Sequence, residues 1–162
     1  MPRRGRSPAS LEIYAYCLLD NHYHLLLRSL DGRLSQAMQY LSSRFTQRIN
    51  YKIAADGPLF RGRFASVAIN SDAHLIQVLR YIHLNPVSAG LVACAEGWAW
   101  SSAAAYASGD KPHWLQIDLL LEMFGPTAAR EAYRVHLQQG VDAATGAFYA
   151  SLGWPGRQTR SF

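Results

Sequence analysis

The stretch Leu11-Glu-Ile-Tyr-Ala-Tyr-Cys-Leu-Leu19 decides the fold together with His22-Tyr-His-Leu-Leu-Leu27, which follows it after Asp20-Asn21. Both halves are rich in residues that favour strands, and Asp-Asn tolerates the backbone conformations of a tight turn. The pattern predicts a β-hairpin, with one strand near residues 11–19 and the other near 22–28. A hairpin of this kind makes an antiparallel sheet.

Two histidines are separated by one residue in the second predicted strand. Because successive side chains of a strand point to opposite faces, we expect His22 and His24 on one face and Tyr23 on the other. Two imidazoles placed in this way can share one metal ion. Taken alone, a His-x-His in a strand is more often a chance spacing than a metal site.

The segment after the hairpin predicts a helix. Apolar residues recur at helical spacing from Leu34 to Ile49, and Arg44 and Arg48 lie off this apolar stripe. Asp56-Gly57-Pro58 ends the helix, since glycine and proline both interrupt helical backbone.

Alternating arginines and aromatics come next, in Phe60-Arg-Gly-Arg-Phe64. The alternation predicts a third strand from Phe60 to Ile69, with Arg61 and Arg63 on one face. Such a strand suits DNA phosphates and stacked bases. It suits equally well a solvated sheet edge whose charges discourage aggregation.

A second helix begins after the capping sequence Asn70-Ser71-Asp72. We expect it to end at Asn85, because Pro86 disfavours helical geometry in the residue before it. On this helix Tyr81 and Asn85 are one turn apart on a mostly polar arc, so their side chains project together. His83 falls on the inward-facing side, as do Leu75, Leu79, Ile82 and Pro86.

Composition places the chain among compact globular proteins. Its 162 residues suffice for one domain with a core, and a formal charge of +5 favours a polyanionic partner without proving one.

Cys17 and Cys94 lie in apolar surroundings and are predicted to be buried free thiols. No apolar run approaches the ~20 residues that span a bilayer, which favours a cytoplasmic protein, nucleoid-associated when bound to DNA.

Four stretches, taken in order, resemble the IS200-like single-tyrosine (HUH, Y1) transposases, and most closely the subgroup associated with repetitive extragenic palindromes (REP). They are Ala15-Tyr-Cys-Leu-Leu-Asp-Asn-His-Tyr-His-Leu-Leu-Leu27, Leu59-Phe-Arg-Gly-Arg-Phe64, Arg80-Tyr-Ile-His-Leu-Asn-Pro-Val87 with Ala89-Gly-Leu-Val92, and Trp98-Ala-Trp-Ser-Ser102. The resemblance extends over residues 12 to 140. Motifs of this length in the family's order are not a chance result.

The resemblance implies a chemistry and assigns its residues. Tyr81 would attack a DNA phosphodiester, leaving a free 3′-hydroxyl and a 5′-phosphotyrosine link. His22, His24 and Asn85 would bind a divalent metal, Mg²⁺ or Mn²⁺, with two imidazoles favouring Mn²⁺. The substrate would be single-stranded DNA recognised through a hairpin, contacted by Arg44, Arg48, Arg61 and Arg63. A homodimer is compatible with the family, some of whose members exchange the tyrosine helix between subunits.

The expected fold is α+β, a ferredoxin-like antiparallel sheet with helices on one face, followed by a C-terminal helical extension. Residues 1–10 are predicted to be a disordered basic leader, 11–95 the catalytic domain, 96–140 the helical extension and 141–162 a flexible tail. Within the extension, helices are expected around residues 116–124 and 127–139.

One departure from the family concerns the start of the chain. Family members have another strand and helix before the segment that matches Leu11, and that strand lies beside the histidine-bearing one. Three explanations stay open: a start codon assigned too late, a decayed mobile element, or a partner that supplies the strand. An alternative function follows, in which an inactive or domesticated remnant binds single-stranded DNA hairpins without cleaving them.

Overall fold

A computed structural model of the chain describes residues 10–60 and 62–152. The first two elements are the strands β1 (Leu11–Leu18) and β2 (Tyr23–Ser29), which pair in a two-stranded antiparallel sheet. The N–H of Leu19 donates to the carbonyl of His22 at 2.9 Å and closes the turn. The predicted hairpin is therefore confirmed, with each strand end within one residue of its expected position.

Helices make up most of the remaining regular structure. In the described part of the chain they are α1 (Leu34–Ile53), α2 (Asp72–Ser88), α3 (Ala103–Ser108), α4 (Asp118–Glu122), α5 (Ala129–Gln138) and α6 (Ala143–Ser151). A short 3₁₀ turn covers Ala95–Gly97. The predicted α+β class with a helical C-terminal part is confirmed. None of the helices described is long and apolar enough to cross a bilayer.

The third strand predicted for Phe60 to Ile69 is wrong. Residues 60 and 62–69 belong to no β-ladder, and most of them are exposed. Alternating side chains favour extended backbone, but a strand also needs a hydrogen-bonded neighbour, which sequence periodicity does not supply. Gly62 adds a positive φ of 82°, a conformation that interrupts regular extended structure.

Helix α2 continues past the end predicted from Pro86. It reaches Ser88, with Pro86 inside its last turn and fully buried. A proline this near a helix end removes one backbone hydrogen bond, and burial of its ring in the core offsets that loss. The N–H groups of Ala89 and Leu91 donate to the carbonyls of Asn85 and Pro86, which satisfies the carbonyls of the helix end.

Helix α6 lies inside the segment predicted to be a flexible tail. Asp142 caps it by accepting a hydrogen bond from the N–H of Thr145 at 2.8 Å. Residues beyond 152 lie outside the described part of the chain, as does most of the predicted leader.

The chain divides into two compact units. One comprises Met1–Glu12 and Arg28–Val67, and the other Ile13–Leu27 and Ala68–Phe162, each only in so far as its residues are described. In the first unit, Asp31 accepts hydrogen bonds from the N–H of Ser10 and from the guanidinium of Arg33, and these bonds hold its pKa at about 2. Helix α1 buries Met38 and leaves most of its other side chains exposed.

The second unit contains the main hydrophobic core. Strand β1 is held on both of its edges, by β2 on one side and by bridges from Cys17 to Ser101 and from Ile13 to Leu115 on the other. Buried side chains from the hairpin, α2, α3, α4 and α5 pack in one cluster that includes Ala15, Leu79, Tyr106, Leu115, Leu120 and Tyr133. The hairpin and α2 are thereby fixed in one body.

Both cysteines are free thiols. Cys17 is buried, and burial raises its pKa to about 11. Cys94 is exposed, which contradicts the prediction that both would be buried. The apolar neighbours of Cys94 in the sequence do not bury it, because it lies in the loop just before the 3₁₀ turn.

Candidate functional site

The hairpin turn and the start of β2 place the two histidines side by side. The ring centroids of His22 and His24 are 5.1 Å apart, with the ring planes at 89°. His24 is 9% exposed, whereas His22 lies nearer the surface, where its Nδ1 and the Asn21 Oδ1 form a hydrogen bond of 2.6 Å. The pleat that predicts a shared face thus brings the two imidazoles into contact.

Helix α2 presents the tyrosine and the asparagine. Its first turn is capped by Ser71, whose Oγ accepts a hydrogen bond from the N–H of His74 at 3.2 Å. The expected apolar face is buried, with Leu79 and Ile82 at 0% and 3% exposure. Burial of this stripe leaves Tyr81 and Asn85 half-buried, one turn apart on another side of the helix.

The two elements meet at the rings of His24 and Tyr81. Their centroids are 5.3 Å apart and the planes lie at 82°, an edge-to-face contact. The side-chain nitrogen of Asn85 donates to the carbonyl of Tyr81 at 3.0 Å, which leaves the amide oxygen of Asn85 as an acceptor. Residues almost sixty positions apart in the chain are thus gathered in one place.

The environment of the two histidines keeps them neutral. Burial, followed by the neighbouring His22, lowers the pKa of His24 to about 4, and a hydrogen bond with the Asn85 side chain opposes this shift. Burial also lowers the pKa of His22. At neutral pH each ring therefore keeps a nitrogen lone pair, the form in which histidine binds a metal ion.

The donor set at this place consists of two neutral imidazoles and one amide. Within residues 10–60 and 62–152, no three His, Cys, Asp or Glu side chains are gathered closely enough to hold a metal ion. The three predicted ligands fit a divalent ion by donor type, and they bring no negative charge. Neutral ligands leave the charge of a divalent ion uncompensated, so an anion such as a phosphate would strengthen its binding here.

A second tyrosine covers Tyr81. The ring of Tyr149, on α6, stacks on that of Tyr81 at a centroid distance of 4.5 Å and an angle of 25°. The hydroxyl of Tyr149 forms a hydrogen bond of 3.0 Å with Nε2 of His74. Burial raises the pKa of Tyr81, and the Asn85 side chain opposes that shift, so Tyr81 is a neutral phenol at pH 7.

Sequence reasoning missed Tyr149 and its partner His74. Tyr149 falls in a stretch rich in alanine and glycine that predicts a flexible tail. The sequence Asp142-Ala-Ala-Thr145 could have predicted a helix here, because an acidic N-cap residue precedes alanines that favour helix.

The arginines predicted to bind DNA belong to the other unit. Arg44 and Arg48 are exposed on α1, one turn apart, and Arg63 is exposed in the loop that follows. Arg61 lies outside the described residues, so its predicted role has no structural counterpart. Around Arg44 and Arg48, the charged residues of α1 are all basic, and Lys52 completes the row.

Comparison with known proteins gives one informative match. The chain is 29% identical over 102 residues to a protein of Haemophilus influenzae named as a REP-associated tyrosine transposase. The match covers 56% of this chain and 58% of that relative. No family model matches the chain, and no solved structure matches it. The similarity confirms the resemblance carried by the four sequence stretches.

Proposed function

We propose that this chain is a transposase-like strand transferase that acts on single-stranded DNA with Tyr81 as nucleophile and a divalent metal ion as cofactor. The observation that carries the proposal is the contact between the rings of His24 and Tyr81, with Asn85 one turn further along α2. The name of the H. influenzae relative supports it independently.

The reaction balances without an external energy source. The phenolic oxygen of Tyr81 forms a bond to the phosphorus of a DNA phosphodiester, and the bond from that phosphorus to the 3′-oxygen breaks. The phenol proton is lost, the departing 3′-oxygen takes up a proton, and the 5′-phosphate remains on the tyrosine. A phenol with an ordinary pKa of ~10 is a good leaving group, so a second 3′-hydroxyl can rejoin the strand by the reverse step.

His22, His24 and Asn85 are the residues that would hold the metal ion. When bound, Mg²⁺ or Mn²⁺ neutralises charge on the scissile phosphate and helps to orient it. The protein's own contribution is to keep both imidazoles neutral and to hold Tyr81 against His24. Because the ligands carry no charge, we expect the ion to bind more tightly when DNA phosphate is present.

Single-stranded DNA is the proposed substrate, and a hairpin its recognised form. The positive charge of the chain and the exposed arginines of α1 suit a phosphate backbone.

A covalent-trapping assay tests the proposal. The full chain is mixed with labelled hairpin DNA carrying single-stranded flanks, in Mn²⁺ or in EDTA, and run on a denaturing gel. We expect a shifted band with Mn²⁺ that is absent in EDTA. DNA that is bound but never attached would instead support a hairpin-binding protein without nuclease activity.

The variant Tyr81→Phe identifies the nucleophile, and Tyr149→Phe is its matched control because the two rings are stacked. Tyr81→Phe should abolish covalent attachment, because phenylalanine has no oxygen to form the bond to phosphorus, while DNA binding stays within about twofold. Tyr149→Phe should retain attachment. The reverse outcome would reassign the nucleophile to Tyr149.

A further inference from the structure

Helix α2 carries a fully buried histidine between Tyr81 and Asn85. His83 is 0% exposed, and both nitrogens of its ring form hydrogen bonds. Nε2 lies 2.8 Å from Oγ of Ser102, and Nδ1 lies 2.7 Å from the hydroxyl of Tyr133 on α5. A buried polar side chain satisfied at both ends is rigidly oriented.

The directions of these hydrogen bonds follow from Ser102. Its Oγ accepts from the N–H of Tyr16 at 2.9 Å, and its hydroxyl donates to the carbonyl of Tyr16 at 3.2 Å. Since a hydroxyl has one hydrogen and two acceptor positions, Nε2–H of His83 donates to Ser102. Nδ1 then accepts from Tyr133. This arrangement gives every polar hydrogen of the network an acceptor.

The network joins α2, one of the two elements whose side chains meet at the candidate site, to the strand that pairs with the other. His83 belongs to α2, and Tyr16 belongs to β1, whose neighbour β2 carries His24. The backbone N–H of Ser102 also donates to Tyr16, at 3.0 Å. Tyr16, His83 and Ser102 come from three of the four stretches that resemble the transposase family, although none of them bears the expected chemistry.

Hydrogen bonds can fix the rotation of a helix about its axis, which apolar packing alone does not fix. The buried stripe of α2 holds the helix against the core but is non-directional, whereas hydrogen bonds require a narrow range of angles. Helix side chains reach roughly 5–6 Å from the axis, so a rotation of ~10° moves a side-chain tip by about 1 Å. A misplacement of that size can cost a reaction about 100-fold.

We propose that His83 is a positioning residue: its hydrogen bonds to Ser102 and Tyr133 set the rotation of α2 on β1, and so fix where Tyr81 stands relative to His24. The kinetic test of this role rests on the proposed function. The spectroscopic test depends only on the geometry of the protein.

The kinetic test uses Tyr133→Phe, which removes one hydroxyl and keeps the ring. We expect the maximal rate of DNA attachment, at saturating Mn²⁺ and hairpin DNA, to fall about tenfold or more. The DNA concentration for half-maximal rate should stay within about twofold, because no DNA contact is altered. His83→Gln, whose amide can still donate to Ser102, should retain more activity than His83→Leu.

Tyr106→Phe is the matched control. Tyr106 is as buried as Tyr133, its ring lies 5.2 Å from that of Tyr133, and its hydroxyl donates to the carbonyl of Tyr14 on β1 at 2.8 Å. The control therefore removes an equivalent buried hydroxyl without touching the hydrogen bonds of His83. Equal losses of rate in both variants would overturn the proposal and reduce the effect to general stability.

A readout without DNA or metal separates this proposal from the proposed function. In protein labelled with fluorotyrosine, the ¹⁹F resonance of Tyr81 is assigned through Tyr81→Phe. We expect Tyr133→Phe to shift or broaden that resonance, and Tyr106→Phe to leave it in place. A Tyr81 resonance unchanged by Tyr133→Phe refutes the positioning role. Absence of any DNA attachment in the unmodified chain, with the shift observed, refutes the strand-transferase proposal alone.

Discussion

At the scale of single residues, the buried histidines are the groups whose titration matters most for stability. Burial lowers the pKa of His83 to about 3 and that of His24 to about 4, and it lowers those of His22 and His136 as well. In the unfolded chain all four return to a pKa near 6.5. Protons therefore bind the unfolded chain more readily than the folded one below that pH.

Stability should consequently be complete above pH 6.5 and decline as the pH falls toward 3. A fully shifted histidine contributes a slope of about 1.4 kcal/mol per pH unit within this window. Urea unfolding at pH 7, 6 and 5 measures the decline. An unfolding free energy that stays constant from pH 7 to pH 5 would contradict the buried, neutral state of His83.

Sequence patterns predicted which residues of the candidate site share a face within each element, but not which residues surround them in the fold. The spacing of His22 and His24, and of Tyr81 and Asn85, follows from strand and helix geometry, so local patterns sufficed to group each half. The stacking of Tyr149 on Tyr81 depends on a contact across the tertiary fold. No local pattern encodes such a contact.

At the scale of elements, we expect the basic row of helix α1 to contribute to binding of nucleic acid. Arg44 and Arg48 are exposed one turn apart. The double variant Arg44→Gln with Arg48→Gln should lower the slope of log Kd against log salt for single-stranded DNA by about 1.4, if each arginine neutralises one phosphate. Fluorescence anisotropy over a series of salt concentrations measures this slope.

Arg134→Gln is the control for that experiment. Its guanidinium already forms ion pairs with Glu96 and Glu131, at 3.2 and 3.3 Å. We expect little change in the salt slope from this variant. If it lowered the slope as much per charge as the α1 variants, net charge rather than the basic row would explain DNA binding.

Elements were predictable where one segment determines its own structure. The hairpin and α2 are such segments, since turn residues, caps and apolar periodicity lie within each. The strand predicted for residues 60–69 was wrong because a strand forms only beside a hydrogen-bonded neighbour. The helix end predicted from Pro86 was wrong because burial of the proline ring outweighs the local preference of proline for non-helical backbone in the residue before it. Both errors arise from interactions that lie outside the segment itself.

At the scale of the whole molecule, the two units differ in how much of their structure is buried. Helix α1 has one buried residue, Met38, whereas α2 buries Val78, Leu79, Ile82, His83 and Pro86. Local opening is easier where few apolar contacts must be broken. The unit containing α1 should therefore open at a lower free energy than the unit containing α2.

Hydrogen exchange followed by mass spectrometry tests this difference. Backbone amides in the middle of α1 should exchange at least tenfold faster than those in the middle of α2, a difference of about 1.4 kcal/mol in opening free energy. Peptides from the two helices can be compared within one sample, so each serves as the reference for the other. Equal protection would mean that both units open as one.

The order of the two units along the chain has an evolutionary consequence. The chain leaves the unit that holds the candidate site at Leu27 and re-enters it at Ala68, so the intervening residues are an insertion between the histidine half and the tyrosine half. The entropy of closing such an insertion grows slowly, by roughly 0.6 kcal/mol for each doubling of length. A lineage can therefore lengthen or shorten the intervening residues at little cost in free energy, while His22, His24, Tyr81 and Asn85 keep their places in the other unit.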